Sequence, residues 1–246
     1  MVEVAVVLAA GRGKRLGSLT ADLPKPLLPV AGRPCLEWIL AGLAAAGLRE
    51  VVLVTGYKAA AVEERVGSQF EGRLAVRYAQ QPVPNGTGSA VLCAREAVGD
   101  RPFLLTYGDI LLRRDNYARS LDIYGSSGCD LLMAVNWVED PWAGAAIYHD
   151  DVGAVTRIVE KPPKGTSSTH WNHAGVVVAS PLYFSYLSKL TPSPRGEYEL
   201  TAAYPPMLAD GRRLAAMPVE GYWGDVGTPE DLDRMSLMLA SEEGTE

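Results

Sequence analysis

An apolar run that breaks into paired glycines and cations constrains this chain more than any other stretch. Val6-Val7-Leu8-Ala9-Ala10 leads without a polar residue into Gly11-Arg12-Gly13-Lys14-Arg15-Leu16, and Leu23-Pro24-Lys25-Pro26-Leu27 follows closely. Such a run reads as a buried strand that delivers a loop to an anion. Gly11 and Gly13 let backbone N–H groups approach phosphate oxygens without interference from a Cβ. Arg15 and Lys25 bring charge, and the prolines flanking Lys25 stiffen its loop. Two familiar phosphate loops are excluded by Leu16, which stands where a P-loop needs its second glycine and a dinucleotide fingerprint its third. The ordinary alternative is a strand–turn with surface cations. The added Pro-Lys-Pro-Leu favours a polyphosphate ligand.

The rest of the first half repeats the strand-then-helix rhythm. Strands are expected over residues 3–10, 51–54, 74–78 and 103–106. Helices are expected from Pro34 to Gly47 and over 59–66, 88–98 and 116–124. That alternation calls for a parallel sheet covered on both faces, with ligands at the carboxyl ends of its strands. The second half reads differently. A strand over 130–138, a hairpin of 144–149 with 155–160, and a strand over 174–179 extend the sheet in antiparallel fashion. Helices after Pro181 and over 200–209, a strand over 214–218 and a helix over 229–240, with Thr228 as its N-cap, complete the pattern. One domain over residues 1–240 is expected, followed by a frayed tail, 241–246.

Composition narrows the partners. A net charge of −6 and a pI near 5.2 argue against nucleic acid or an anionic membrane as the binding partner. Three scattered cysteines, Cys35, Cys93 and Cys129, form no C-x-x-C pair, so neither a disulfide framework nor a zinc knuckle is indicated. No signal peptide and no membrane span is expected, and the cytoplasm is the expected compartment. There is no hexapeptide array of the kind that forms a β-helix.

Further motifs follow in order: Gln81-x₄-Gly86-Thr87, Gly108-Asp109, Glu160-Lys161-Pro162, Ala174-Gly175 and Trp223-Gly224-Asp225-Val226-Gly227-Thr228-Pro229. Together with G-x-G-x-R-L and P-K-P-L, they resemble the sugar-1-phosphate nucleotidyltransferases, over residues 6 to about 231. The resemblance implies a three-layer α/β/α nucleotide-diphospho-sugar transferase fold, Rossmann-like with a mixed central sheet. It implies transfer of a nucleoside monophosphate from a nucleoside triphosphate to a sugar 1-phosphate, with pyrophosphate released. Arg15 and Lys25 are then the catalytic cations. Leu8, Ala10, Gly11, Gly13, Gln81, Gly86, Thr87 and Gly108 line the nucleotide. Gly144, Glu160, Lys161, His173 and Glu197 receive the sugar phosphate. Asp109 and Asp225 hold Mg²⁺, which takes one or two carboxylates plus phosphate oxygens.

Gln81 stands where pyrimidine-using members read the base, and a primary amide offers both a donor and an acceptor to a uracil or thymine edge. UTP or dTTP with glucose 1-phosphate is the first expectation. The alternatives are GTP with a mannose or heptose 1-phosphate, a catalytically silent sugar-nucleotide-binding subunit, and more remotely a cytidylyltransferase. The chain departs from the family at Trp171-Asn172-His173-Ala174-Gly175, where relatives often read Asn-Ala-Gly or Asn-Thr-Gly. By register His173 is expected in the site and Asn172 away from it. Monomer and homo-oligomer are both open.

Overall fold

The computed structural model describes residues 1–243. The chain runs β1 (Val4–Leu8), α1 (Leu19–Asp22), β2 (Pro29–Val30), β3 (Arg33–Pro34), α2 (Cys35–Ala45), β4 (Glu50–Thr55), α3 (Ala59–Val66), β5 (Gln69–Phe70) and β6 (Leu74–Gln80). It continues through α4 (Thr87–Cys93), α5 (Arg95–Val98), β7 (Phe103–Tyr107), β8 (Ile110–Leu112), α6 (Asp115–Ser127), β9 (Leu131–Trp137), β10 (Ala145–His149) and β11 (Val155–Glu160). It ends with β12 (Trp171–Ala179), α7 (Leu182–Leu187), α8 (Tyr204–Ala209), β13 (Leu214–Pro218), β14 (Trp223–Asp225) and α9 (Pro229–Glu243).

The three layers follow from side-chain alternation along a doubly covered sheet. Successive strand residues point to opposite faces, so β1 divides its apolar residues between two cores. Ala5 and Val7 join Leu36, Ile39, Leu40 and Leu43 of α2, Tyr117 of α6, and Met235 and Leu239 of α9. Val4 and Val6 join Ala90 and Val91 of α4, Tyr183 and Phe184 of α7, and Tyr204 and Met207 of α8. The α2 residues recur at helical spacing, and all four are essentially inaccessible to solvent. Truncating one of them, Leu40→Ala, costs about 2–5 kcal/mol through lost transfer energy and the cavity left behind.

Strands β6, β4, β1 and β7 are mutually parallel, which brings their carboxyl ends to one edge. β12 runs antiparallel to β7 and also pairs with β9, which carries β13 in parallel. One edge of β12 serves two neighbours. Val176–Ala179 pair with β7, whereas Asn172 pairs with Ala146 of the β10–β11 hairpin. The sheet therefore forks between Asn172 and Val176, where the register against β9 also shifts. Gly175 sits in the fork with φ 80°, and a Cβ there would lie 2.1 Å from Ile110 Cδ1, so only glycine fits.

The expected elements form with four differences. The single helix expected over 88–98 is two, α4 and α5, meeting at Ala94, whose N–H donates back to Val91 O. The strand expected from 174 already begins at Trp171. The antiparallel ribbon β8–β14 was not legible in the sequence. The closing helix runs on to Glu243, through the first half of the expected tail, and residues 244–246 lie outside the described residues. Among the described residues no helix is long and apolar enough to cross a membrane.

Candidate active site

The first loop leaves β1 through a tight passage. A Cβ on Gly56, after β4, would lie 2.9 Å from Ala10 Cβ, and one on Gly108, after β7, would lie 2.8 Å from Leu8 O. The glycines of both flanking strands thus let Ala9 and Ala10 pass between them. The chain then opens at Gly11, where nothing lies within 4 Å of a built Cβ. Gly13 follows in the left-handed region at φ 67°, and buried Leu16 anchors the turn. Lys25 lies in a short 3-10 turn whose stem abuts Gly13, 3.0 Å from a built Cβ there. Its ammonium pairs with the Asp109 carboxylate.

A cleft of about 640 Å³ opens between this edge and the fork of the sheet. Every expected site residue lines it except Gly13, whose role is to let the Lys25 stem pack behind the loop. The two expected metal carboxylates meet through the unforeseen ribbon. Asp225 pairs with Ile110, and Val226 N–H donates to Asp109 O at 2.8 Å. Gly227 makes room for what converges there, since a built Cβ would lie 2.8 Å from Asp225 Oδ2 and 3.1 Å from Arg15 Nη2. Burial raises the Asp225 carboxyl above its ordinary range, the Asp231 and Asp109 charges add to this, and Lys25 and Arg15 oppose it. Asp231 is not a free ligand. It closes a capping box with Thr228 at the start of α9 and pairs with Arg234. Two carboxylates beside Arg15 and Lys25 are a donor set of the kind Mg²⁺ takes, since that ion keeps positions for phosphate oxygens and water.

The residues expected to receive the sugar phosphate gather at the fork. The β10–β11 pairing ends at Ala145 opposite Glu160. Lys161 then takes φ 43°, rare outside glycine, while its N–H donates to Gly144 O at 2.7 Å. That turn carries Lys161 into the lining. Glu160 accepts from Thr201 Oγ1 at 2.7 Å, and its carboxyl is raised chiefly by burial. Glu197 lines the cleft beside Arg195, whose guanidinium also pairs with Glu199.

One expectation, for Asn172, needs correction, and the hydrogen bonds of His173 and Gln81 add what the sequence did not show. His173 lines the cleft, but both its ring nitrogens are engaged internally: Nδ1 accepts from Gly175 N–H at 3.1 Å, and Nε2 lies 3.1 Å from Tyr204 Oη. The Nδ1 acceptor role places the proton on Nε2, which donates to the tyrosine. Burial pushes this imidazole down to about 4, so it is neutral at physiological pH. Asn172 is not turned away, because the fork lets neighbouring residues of β12 both reach the lining. Its Nδ2 donates to Asn136 Oδ1 and His173 O, and its Oδ1 is buried without a partner. Gly144 is glycine for that oxygen, which would lie 2.1 Å from a Cβ. Gln81 spends its donor end on the turn, giving Nε2–H bonds to Gly86 O and Ser89 Oγ, both 3.0 Å. Only its amide oxygen remains to present to a base.

Sequence reasoning missed Thr201, Glu199, Asp140 and Tyr107, all of which line the cleft. Thr201 and Glu199 flank Leu200, next to the expected Glu197, but isolated polar residues in a loop carry no spacing signal. Tyr198 joins this segment to the Gly86 turn: its N–H donates to Asn85 O and its C=O accepts from Gly88 N–H.

Comparison with known proteins gives the family and the fold. The nucleotidyl transferase family model matches residues 4–242. Over 228 residues the chain is 34% identical to the low-salt glycan biosynthesis nucleotidyltransferase Agl11 of Haloferax volcanii, covering 92% of this chain and 63% of that protein. It is 30% identical over 240 residues to AglF of the same organism, named as a UTP–glucose-1-phosphate uridylyltransferase, covering 97% of each. Among solved structures, a UTP-bound UGPase from Acinetobacter baumannii superposes with a TM-score of 0.87 at 25% identity, covering 98% of this chain and 94% of that one. The chain belongs to the sugar-1-phosphate nucleotidyltransferase family.

Proposed function

We propose that the chain transfers a uridylyl or thymidylyl group to glucose 1-phosphate, giving the sugar nucleotide and pyrophosphate. One observation carries this reading: a single cleft places two cations and two carboxylates at the carboxyl ends of β1 and β7, opposite a carboxylate–lysine pair at the fork. The first group suits a triphosphate and the second a sugar phosphate. The whole-length similarity to AglF supports UTP and glucose 1-phosphate.

In the reaction a phosphate oxygen of the sugar phosphate attacks the α-phosphorus, and the α–β P–O bond breaks to release pyrophosphate. A phosphate monoester is largely dianionic at neutral pH, its second pKa being about 6, so no general base is required. This agrees with a lining whose sole histidine is buried and neutral. The protein's part is positioning and charge neutralisation. Arg15 and Lys25 face the triphosphate, Lys161 meets the sugar phosphate, and Glu160 accepts from ring hydroxyls. Mg²⁺ held by Asp109 and Asp225 would supply further neutralisation of phosphate charge.

The test is pyrophosphate release over UTP, dTTP, GTP and CTP crossed with glucose, mannose and N-acetylglucosamine 1-phosphates, with Mg²⁺ or EDTA. The expected result is greatest release with UTP or dTTP and glucose 1-phosphate, lost in EDTA and in Arg15→Ala or Asp225→Ala. Release from no pair, or near-normal turnover in either variant, would overturn the proposal.

A further inference from the structure

We propose that Lys25 acts as a stand-in cation on Asp109, and that a divalent metal and the Lys25 ammonium compete for that carboxylate. The proposal rests on the nucleotidyl transfer reading above and concerns the order in which charges meet in the cleft. Its starting point is the ion pair between Lys25 Nζ and Asp109 Oδ2, in which the lysine side chain is 10% exposed and the aspartate 32%. Lys25 is thus not poised toward open solvent. Its charge is committed to one of the two carboxylates assigned to the metal.

The backbone on both sides is held. Lys25 lies between Pro24 and Pro26 in a 3-10 turn closed by Leu28 N–H to Lys25 O at 3.1 Å. Asp109 is clamped through its carbonyl to Val226 N–H at 2.8 Å. A change of partner therefore comes from rotation of side chains and not from movement of the backbone. The stem rests against Gly13, so the loop assigned to the triphosphate lies beside the same stem. The ammonium has two kinds of anionic destination: the metal-side carboxylates, Asp109 with Asp225 near it, and phosphate on the Gly11–Arg15 loop.

Electrostatics makes the two destinations exclusive. A dication and an ammonium sharing one carboxylate repel each other at short range, in a partly buried site where screening is weak. Without a polyphosphate the ammonium stays with the carboxylates of the cleft, paired to Asp109 and near the Asp225 charge, and it opposes metal entry. When nucleotide supplies phosphate oxygens, the ammonium gains a partner and the carboxylate is released. Metal and nucleotide then favour each other's binding through one side chain. A consequence runs against intuition: removing this cation strengthens metal binding by the nucleotide-free protein, while transfer activity falls.

The experiment uses Mn²⁺ alone as the probe, with free Mn²⁺ read by electron paramagnetic resonance on the full chain without nucleotide. Lys25→Met keeps the stem and removes the charge. The expected result is an Mn²⁺ affinity about tenfold tighter than wild type, a gain that Lys25→Met/Asp109→Asn lacks. A second measurement needs no variant: acetylation of Lys25 in the wild type, followed by mass spectrometry, is expected to quicken when Mn²⁺ is added. Equal or weaker Mn²⁺ binding by a folded Lys25→Met, or unchanged acetylation, overturns the proposal. Neither readout involves turnover. Tighter Mn²⁺ binding with no pyrophosphate release from any substrate pair would sink the transfer reading alone.

Discussion

Protonation of His173 should carry a measurable share of the acid sensitivity of this fold. The ring is 8% exposed and neutral, with Nδ1 accepting from Gly175 N–H and Nε2 bonded to Tyr204 Oη. Adding a proton destroys the Gly175 contact, because a protonated Nδ1 cannot accept, and places a charge among the rings of Tyr107 and Tyr204. The unfolded ring takes the proton near 6.5 and the folded ring only near about 4. The unfolded state therefore binds more protons between those values. Stability is fully present above 6.5 and falls as pH drops toward 4. Integrating between the two values, His173 contributes a loss of about 2 kcal/mol from pH 7 to pH 5, with a ceiling of about 3 kcal/mol at full protonation. The assay is urea unfolding of wild type and His173→Gln at both pH values. Other titrating groups cancel in the difference between the two proteins. Wild type should lose about 2 kcal/mol more than the variant over this interval. Equal losses would refute the assignment of a buried, neutral ring.

Gly144→Ala should destabilise the protein by about 1–3 kcal/mol in chemical denaturation, because a Cβ would sit 2.1 Å from Asn172 Oδ1 and displace the Asn172 bonds to Asn136 and His173; an unchanged midpoint would count against this packing. Thr201→Val removes the donor to Glu160 and should raise KM for the sugar phosphate about tenfold with KM for the nucleotide unchanged, measured by steady-state pyrophosphate release. Because burial raises the Glu160 carboxyl, sugar binding should weaken with falling pH before ordinary carboxylates titrate. A calorimetric titration of the sugar phosphate across that range checks this, and Glu160→Gln should flatten the dependence.

Much of the fold was legible because the buried strands carry their signal locally. Apolar runs that stop at Gly11, Gly56 and Gly108 mark the carboxyl ends of parallel strands, and apolar residues at helical spacing mark α2. Most of the site was legible for a related reason: short motifs with glycine and proline encode backbone shape as well as chemistry, as in the loops around Arg15 and Lys25. The short ribbon β8–β14 escaped because three-residue strands have no periodicity to read. His173 and Gln81 escaped differently. Their residue types and places were visible, but their hydrogen-bond partners were not.

From the sequence alone came the parallel sheet that ends in a glycine loop with Arg15 and Lys25 beside it, since those residues act through neighbours a few positions away. Which polar groups face the ligand was a tertiary decision. The fork of β12 put Asn172 and His173 in the same cleft, Gly175 and Tyr204 claimed both nitrogens of the imidazole, and Gly86 and Ser89 claimed the donor of Gln81. A side chain's hydrogen-bonding capacity is finite, and residues far apart in the chain settle how it is spent.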